Sequence, residues 1–133
     1  MSRTFTFEIR PPYGHTDQMG FVYHAHYLLY FEMARAQMLR DVNLPYTEME
    51  TRGTLLPVVD AHCHYHAPGR FDDPLVVHST PQPLKGAKLR IEYVITRENE
   101  TIVTGHTEHV CMDRDGRVKR PDAELSALVA PAE

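Results

Sequence analysis

Residues 13–41 read YGHTDQMGFVYHAHYLLYFEMARAQMLRD, and the pattern changes character half way along. From His26 to Asp41, Tyr27, Phe31, Ala34 and Met38 fall at i, i+4, i+7 and i+11, the spacing of one face of an α-helix. Glu32, Arg35, Gln37 and Arg40 are interleaved as a polar face, and no Gly or Pro interrupts before Pro45. The spacing predicts one long amphipathic helix over 26–41. Upstream, Tyr13 to Gly20 is a polar loop that runs into the start of that helix.

Working outward, the periodicity on both sides of the helix drops to two. Residues 4–10 alternate Phe5, Phe7 and Ile9 against Thr4, Thr6, Glu8 and Arg10, a half-buried strand stopped by Pro11-Pro12. Residues 43–53 read as a connection with one short helical turn. Four strand-like runs follow: Leu55 to His66, Leu75 to Pro81, Lys88 to Arg97 and Thr101 to Met112. Ala67-Pro68-Gly69, Glu98-Asn99-Glu100 and Asp113–Arg117 are the turns. The tail from Pro121, rich in Ala and Pro, is expected to be loosely ordered. The order predicts a single α+β domain over residues 1–133, one helix wrapped by a curved antiparallel sheet of about five strands.

A chain of 133 residues with 42% hydrophobic and 24% charged residues is ordinary for a globular protein. Fourteen Lys and Arg against eighteen Asp and Glu leave a net charge of −4. That balance argues against a nucleic-acid partner, which needs a concentrated basic surface, but allows a local basic rim for one anionic small molecule. MSRTFTFEIR lacks the apolar core of a signal peptide, and no apolar run approaches the ~20 residues of a membrane span, so a cytoplasmic location is expected. Cys63 and Cys111 are expected to be free thiols.

The loop before the helix carries the chemistry. A helix N-terminus presents unpaired N–H groups and a partial positive charge, which can hold a carbonyl oxygen as it becomes an oxyanion. Asp17, a few residues upstream, could attack that carbonyl or activate a water. On the residues alone, an aspartate in such a loop is more often a cap or a solvated charge.

Asp17-x-x-Gly20-x-Val22-Tyr23-His24-Ala25-x-Tyr27-Leu28, followed by Phe31-Glu32-x-Ala34-Arg35, resembles the signature of the 4-hydroxybenzoyl-CoA thioesterase-like and YbgC-like hotdog thioesterases. The likeness continues through Pro57-Val58-Val59, Tyr65, Pro68 to Asp73, Tyr93, Gly105-x-Thr107 and Val110 to Asp113. It implies a hotdog fold and hydrolysis of an acyl-CoA without metal or organic cofactor. It implies Asp17 as nucleophile or general base. Backbone N–H groups near Tyr23 and His24 would polarise the thioester carbonyl, and Gly20 would let the loop approach closely. It also implies a homo-oligomer, a dimer or a dimer of dimers, with active sites at the subunit interface. One departure is His15, where many relatives carry a second acidic residue; a protonated His15 near Asp17 would favour the ionised carboxylate.

Arg70, Lys85, Lys88, Arg90, Arg117 and Arg120 are the candidates for the phosphates of CoA. His62, His64 and His66 share one strand face, but same-face neighbours lie ~7 Å apart and cannot easily converge on one ion, so no metal site is expected. Glu32 and Arg35 are placed to pair along the helix. Two other functions are compatible with the pattern: hydrolysis of an acyl group carried on acyl carrier protein, and non-catalytic binding of acyl-CoA.

Overall fold

The computed structural model describes residues 3–129. The strand β1 (Phe5–Ile9) leads through a 3-10 turn at Tyr13–His15 to the helix α1 (His26–Asp41), then to a short α2 (Tyr46–Thr51). Four strands follow: β2 (Val58–Tyr65), β3 (Leu75–Pro81), β4 (Lys88–Arg97) and β5 (Glu100–Val110), and α3 (Ala123–Leu128) closes the chain. The strands form one antiparallel sheet in the order β1-β3-β4-β5-β2. This is the hotdog arrangement, a curved sheet around one long helix.

Period-2 burial explains how the sheet receives the helix. Leu75, Val77 and Ser79 of β3 and Leu89, Ile91, Tyr93 and Ile95 of β4 are buried on one face. Against them α1 turns Tyr27, Phe31, Ala34 and Met38, the stripe expected from its spacing, together with Tyr30. The Phe31 and Tyr93 rings stack at 4.2 Å and 6°. Gly105 of β5 makes room for that contact, because a Cβ there would lie 2.9 Å from Phe31 Cε2. A bulge between β4 and β5 leaves Ile102 as an extra residue, and its carbonyl accepts the N–H groups of His66 (2.8 Å) and Ala67 (3.2 Å). That fixes where β2 ends, beside the candidate site.

The C-terminal expectation is corrected for residues 121–129. Leu125 and Leu128, three apart on α3, are buried in the main core. Asp122 accepts from Thr54 at 2.9 Å, and Arg52 pairs with Glu124 at 3.1 Å. Residues 130–133 lie outside the described residues. Arg35 is corrected too. It is buried, donates from Nε to the Tyr46 hydroxyl (2.6 Å) and from Nη1 to the Tyr93 hydroxyl (3.3 Å), and forms no ion pair with Glu32.

Candidate active site

The loop between β1 and α1 is folded tightly on itself. The Asp17 N–H donates to Phe21 O at 2.8 Å and the Gly20 N–H to Asp17 O at 3.0 Å. Gly20 has φ +80°, a conformation favoured by the absence of a Cβ. The half-buried Asp17 carboxylate caps this loop through Oδ1, which accepts the N–H groups of Met19 (2.9 Å) and Phe21 (3.2 Å). Oδ2 accepts no hydrogen bond among the described residues. The aspartate is thus held by one oxygen and free at the other. The cap reading and the catalytic reading are compatible.

The loop leans on the corner between β2 and β3. Val22 N–H donates to Gly69 O (2.8 Å), Gly69 N–H to the Tyr27 hydroxyl (3.0 Å), and Phe21 bridges Arg70. Arg97 ties the corner down, donating to Pro68 O (3.0 Å) and pairing with Asp73 and Glu100 at 2.6 Å each. Between loop, corner and helix start lies a cleft of about 340 Å³ whose walls include Asp17, Phe21, His24, Tyr27, Tyr65 and Ala67.

At the start of α1, Ala25 is the N-cap and no side chain caps the helix. His26 N–H donates to Tyr23 O (2.9 Å) and Tyr27 N–H to His24 O (3.4 Å). The N–H groups of His24 and Ala25 donate to no group among the described residues, leaving them to an incoming acceptor. Tyr23 differs from the expectation. Its N–H is already given to His15 O at 2.8 Å, because the loop folds back along the helix start. His24 therefore carries the carbonyl-polarising expectation that the sequence spread over both residues.

His15 also departs from its expected place. Its Nδ1 shares a hydrogen bond with the Tyr30 hydroxyl (2.9 Å) and its ring stacks on His26 at 4.0 Å. Desolvation, reinforced by His26, lowers its pKa, and it makes no ion pair with Asp17. It packs at the helix start and makes no hydrogen bond to the carboxylate.

The six cations proposed for CoA do not converge. Arg70 stands beside the Asp17 loop with its guanidinium 5.0 Å from the Phe21 ring centre. Lys85, Lys88 and Arg90 gather in a separate cleft at the β3–β4 hairpin. The seven residues of β3 separate the two places by roughly 20 Å. Arg90 is paired there with Glu92 (3.1 Å) and Glu108 (3.8 Å). Arg117 and Arg120 are exposed in the segment after β5.

On the outer strand β2, His62 stacks on His106 at 5.4 Å and His64 lies 4.5 Å from His66. Among the described residues no three His, Cys, Asp or Glu side chains are grouped to hold a metal ion. Cys63 is partly buried against the core, whereas Tyr65 is half exposed and donates to His24 O at 3.3 Å over the cleft. Sequence reasoning missed Tyr27 as a site residue because its helical spacing marks it as core. Its position in the first turn of the helix was the available signal. It is both: buried, and on the cleft wall.

Comparison with known proteins gives this geometry a family. The thioesterase-like superfamily matches residues 11–130. The chain is 35% identical over 109 residues to YneP of Bacillus subtilis, covering 81% of this chain and 79% of that protein. It is 32% identical over 110 residues to the acyl-CoA thioesterase YbgC of Haemophilus influenzae, covering 82% and 81%. A crystal structure from Aquifex aeolicus superposes with a TM-score of 0.90 at 27% identity, over 95% of this chain and 99% of that one. No helix among the described residues is long and apolar enough to cross a membrane. Asp17, with one free carboxylate oxygen, and His24, with an unpartnered N–H at the helix start, thus line one cleft of a hotdog sheet, in a chain that belongs to the thioesterase-like superfamily.

Proposed function

We propose that this protein hydrolyses acyl-CoA thioesters to the free acid and CoA, with Asp17 as the catalytic carboxylate. The observation that carries the reading is the pairing of two complementary vacancies in one cleft. Asp17 Oδ2 has no partner among the described residues, and the His24 N–H has no acceptor. A thioester carbonyl placed between them is polarised at oxygen and attacked at carbon. As general base, Asp17 takes a proton from water, whose oxygen adds to the acyl carbon. The C–S bond then breaks and the sulfur leaves with the proton. As nucleophile, the carboxylate itself adds, expels the thiolate and leaves an anhydride that one water then opens to the free acid and the regenerated Asp17. Neither route needs a metal or organic cofactor. The YbgC and YneP likenesses support CoA as the carrier.

The working form is a homodimer or a dimer of dimers. β2 ends the sheet with an unpaired edge, and Leu28, Leu29, Val58, Val59 and Tyr65 are exposed around it. A second copy joined at that edge would cover them and close the Asp17 cleft, where Tyr65 already lies. The test of the function is thiol release from a panel of aromatic and aliphatic acyl-CoAs in buffer containing a chelator. Turnover of at least one ester supports the reading, and inertness toward all of them contradicts it.

A further inference from the structure

We propose that the Tyr27 hydroxyl is a second hydrogen-bond donor to the acyl carbonyl oxygen in the Asp17 cleft, acting beside the backbone N–H of His24. This rests on the thioesterase reading above. Tyr27 is 3% exposed, yet it lines the cleft shared with Asp17 and His24. The Gly69 N–H donates to that oxygen at 3.0 Å, which occupies a lone pair and leaves the proton unused. Among the described residues the O–H has no acceptor, and it makes no hydrogen bond to Asp17. A buried hydroxyl proton without a partner is costly, and a carbonyl bound in the cleft that Tyr27 lines would supply the missing acceptor.

Three features suit it to donate a hydrogen bond without giving up its proton. The Gly69 N–H fixes the oxygen in place and polarises the O–H. Contacts with Tyr30 at 5.9 Å and Tyr65 at 5.6 Å hold the ring. Burial, chiefly, raises the phenol's pKa against the opposing pull of the Gly69 N–H and Arg97, so the group is protonated at neutral pH. Gly69 is required by the arrangement, since a Cβ there would lie 2.8 Å from the Tyr27 hydroxyl. During the reaction the hydroxyl transfers no proton. When the attacking oxygen bonds to the acyl carbon, the π pair moves onto the carbonyl oxygen, and the Tyr27 hydrogen bond strengthens. When the C=O re-forms, the C–S bond breaks and its electron pair leaves with sulfur.

The experiment is steady-state kinetics on the best acyl-CoA substrate for wild type, Asp17→Asn, Tyr27→Phe, Gly69→Ala and the Tyr27→Phe/Gly69→Ala pair, with thermal melts of each. Tyr27→Phe is expected to lower kcat about 100-fold, the usual cost of one oxyanion donor, with KM changed less than about threefold. Gly69→Ala is expected to lower kcat by displacing the hydroxyl, and to add little once Tyr27 is Phe. Wild-type kcat in Tyr27→Phe overturns the proposal. So does a parallel loss of kcat, KM and melting temperature, which marks packing alone. Should Tyr27→Phe fail to fold, 3-fluorotyrosine at position 27 keeps the shape. A kcat that shifts with the more acidic phenol supports donation, and an unmoved kcat overturns it. An inactive wild type overturns the thioesterase reading and this proposal together. An active wild type, a dead Asp17→Asn and an unaffected Tyr27→Phe overturn this proposal alone.

Discussion

Asp17 combines two duties that sequence reading sets against each other. Its Oδ1 closes the loop on Met19 and Phe21, while Oδ2 remains open to the cleft. A carboxylate fixed by its loop would have little freedom to lose on meeting the proposed substrate, which suits the catalytic role proposed for it. His15, two positions away in sequence, is spatially committed to Tyr30 and His26. Desolvation, then His26, lowers its pKa, so protonation near Asp17 is disfavoured. His15→Asn is therefore expected to leave the shape of the pH–rate profile unchanged, within about 0.3 of a pH unit in each limb. A limb displaced by a full unit would restore His15 as an electrostatic partner of the carboxylate. The Asp17 loop was legible as a motif, from the spacing of Asp17, Gly20 and His24. The engagement of the Tyr23 N–H was not, because it depends on the loop returning to His15 O, a backbone contact no side-chain pattern records.

At the scale of elements, α1, β4 and β5 are joined by a directed chain of buried hydrogen bonds. Arg35 Nη1 donates to the Tyr93 hydroxyl, which shares a hydrogen bond with Thr107 at 2.8 Å; Thr107 in turn meets His109 Nε2 at 2.9 Å. With His109 neutral and Nδ1 donating to Leu56 O at 3.1 Å, every group has one donor and one acceptor in sequence. Burial, then the positive charge of Arg35, pushes the His109 pKa down to about 4. Protonation would force Nε2–H toward Thr107 and reverse the chain against Arg35. Between about pH 6.5 and about 4 the unfolded chain binds this proton and the folded chain does not, so lowering the pH favours unfolding. The contribution is fully present above pH 6.5 and is lost as pH falls toward 4. Denaturant melts of wild type are expected to fall by about 3 kcal/mol more than those of His109→Gln between pH 7 and 4. Parallel curves for the two proteins would mean that His109 titrates normally. The helix that carries Arg35 was legible to its end residues, since its 3.6-residue period runs unbroken to Asp41. Its partners Tyr93 and Thr107 were not, because 58 and more residues separate them from Arg35 in the chain. The β2 run was read too long, as Leu55 to His66. Leu55 pairs instead with Met112 outside the strand, and Pro57 has no N–H to continue the ladder. In the tail, Ala and Pro content hid the Leu125–Leu128 pair that anchors α3.

For the whole molecule, the open edge at β2 and the exposed leucines of α1 leave the hotdog unfinished as a single copy. Leu28 and Leu29 are 41% and 37% exposed, so replacing one by a charge costs the isolated fold little and a buried interface much. Leu28→Glu is expected to shift the protein to monomer in light scattering while keeping its circular dichroism, and to lose activity if the partner completes the cleft. A wild type that is already monomeric and active would contradict the assembly proposed here. The fold and its family were legible because the helix and strand periods and the Asp17 block are local signals. The distribution of the six cations was not, because proximity to Asp17 is settled by strand length and register. Arg70 sits beside the loop and Lys85, Lys88 and Arg90 at the far end of β3. All of this converges on one carboxylate oxygen facing a polarised carbonyl, and the most direct test is acyl-CoA hydrolysis by wild type and Asp17→Asn, matched for folding and assembly. The account predicts turnover by the wild type and a loss of at least about 1,000-fold in kcat on the substitution. Activity that survives Asp17→Asn would contradict it and move the chemistry to another group.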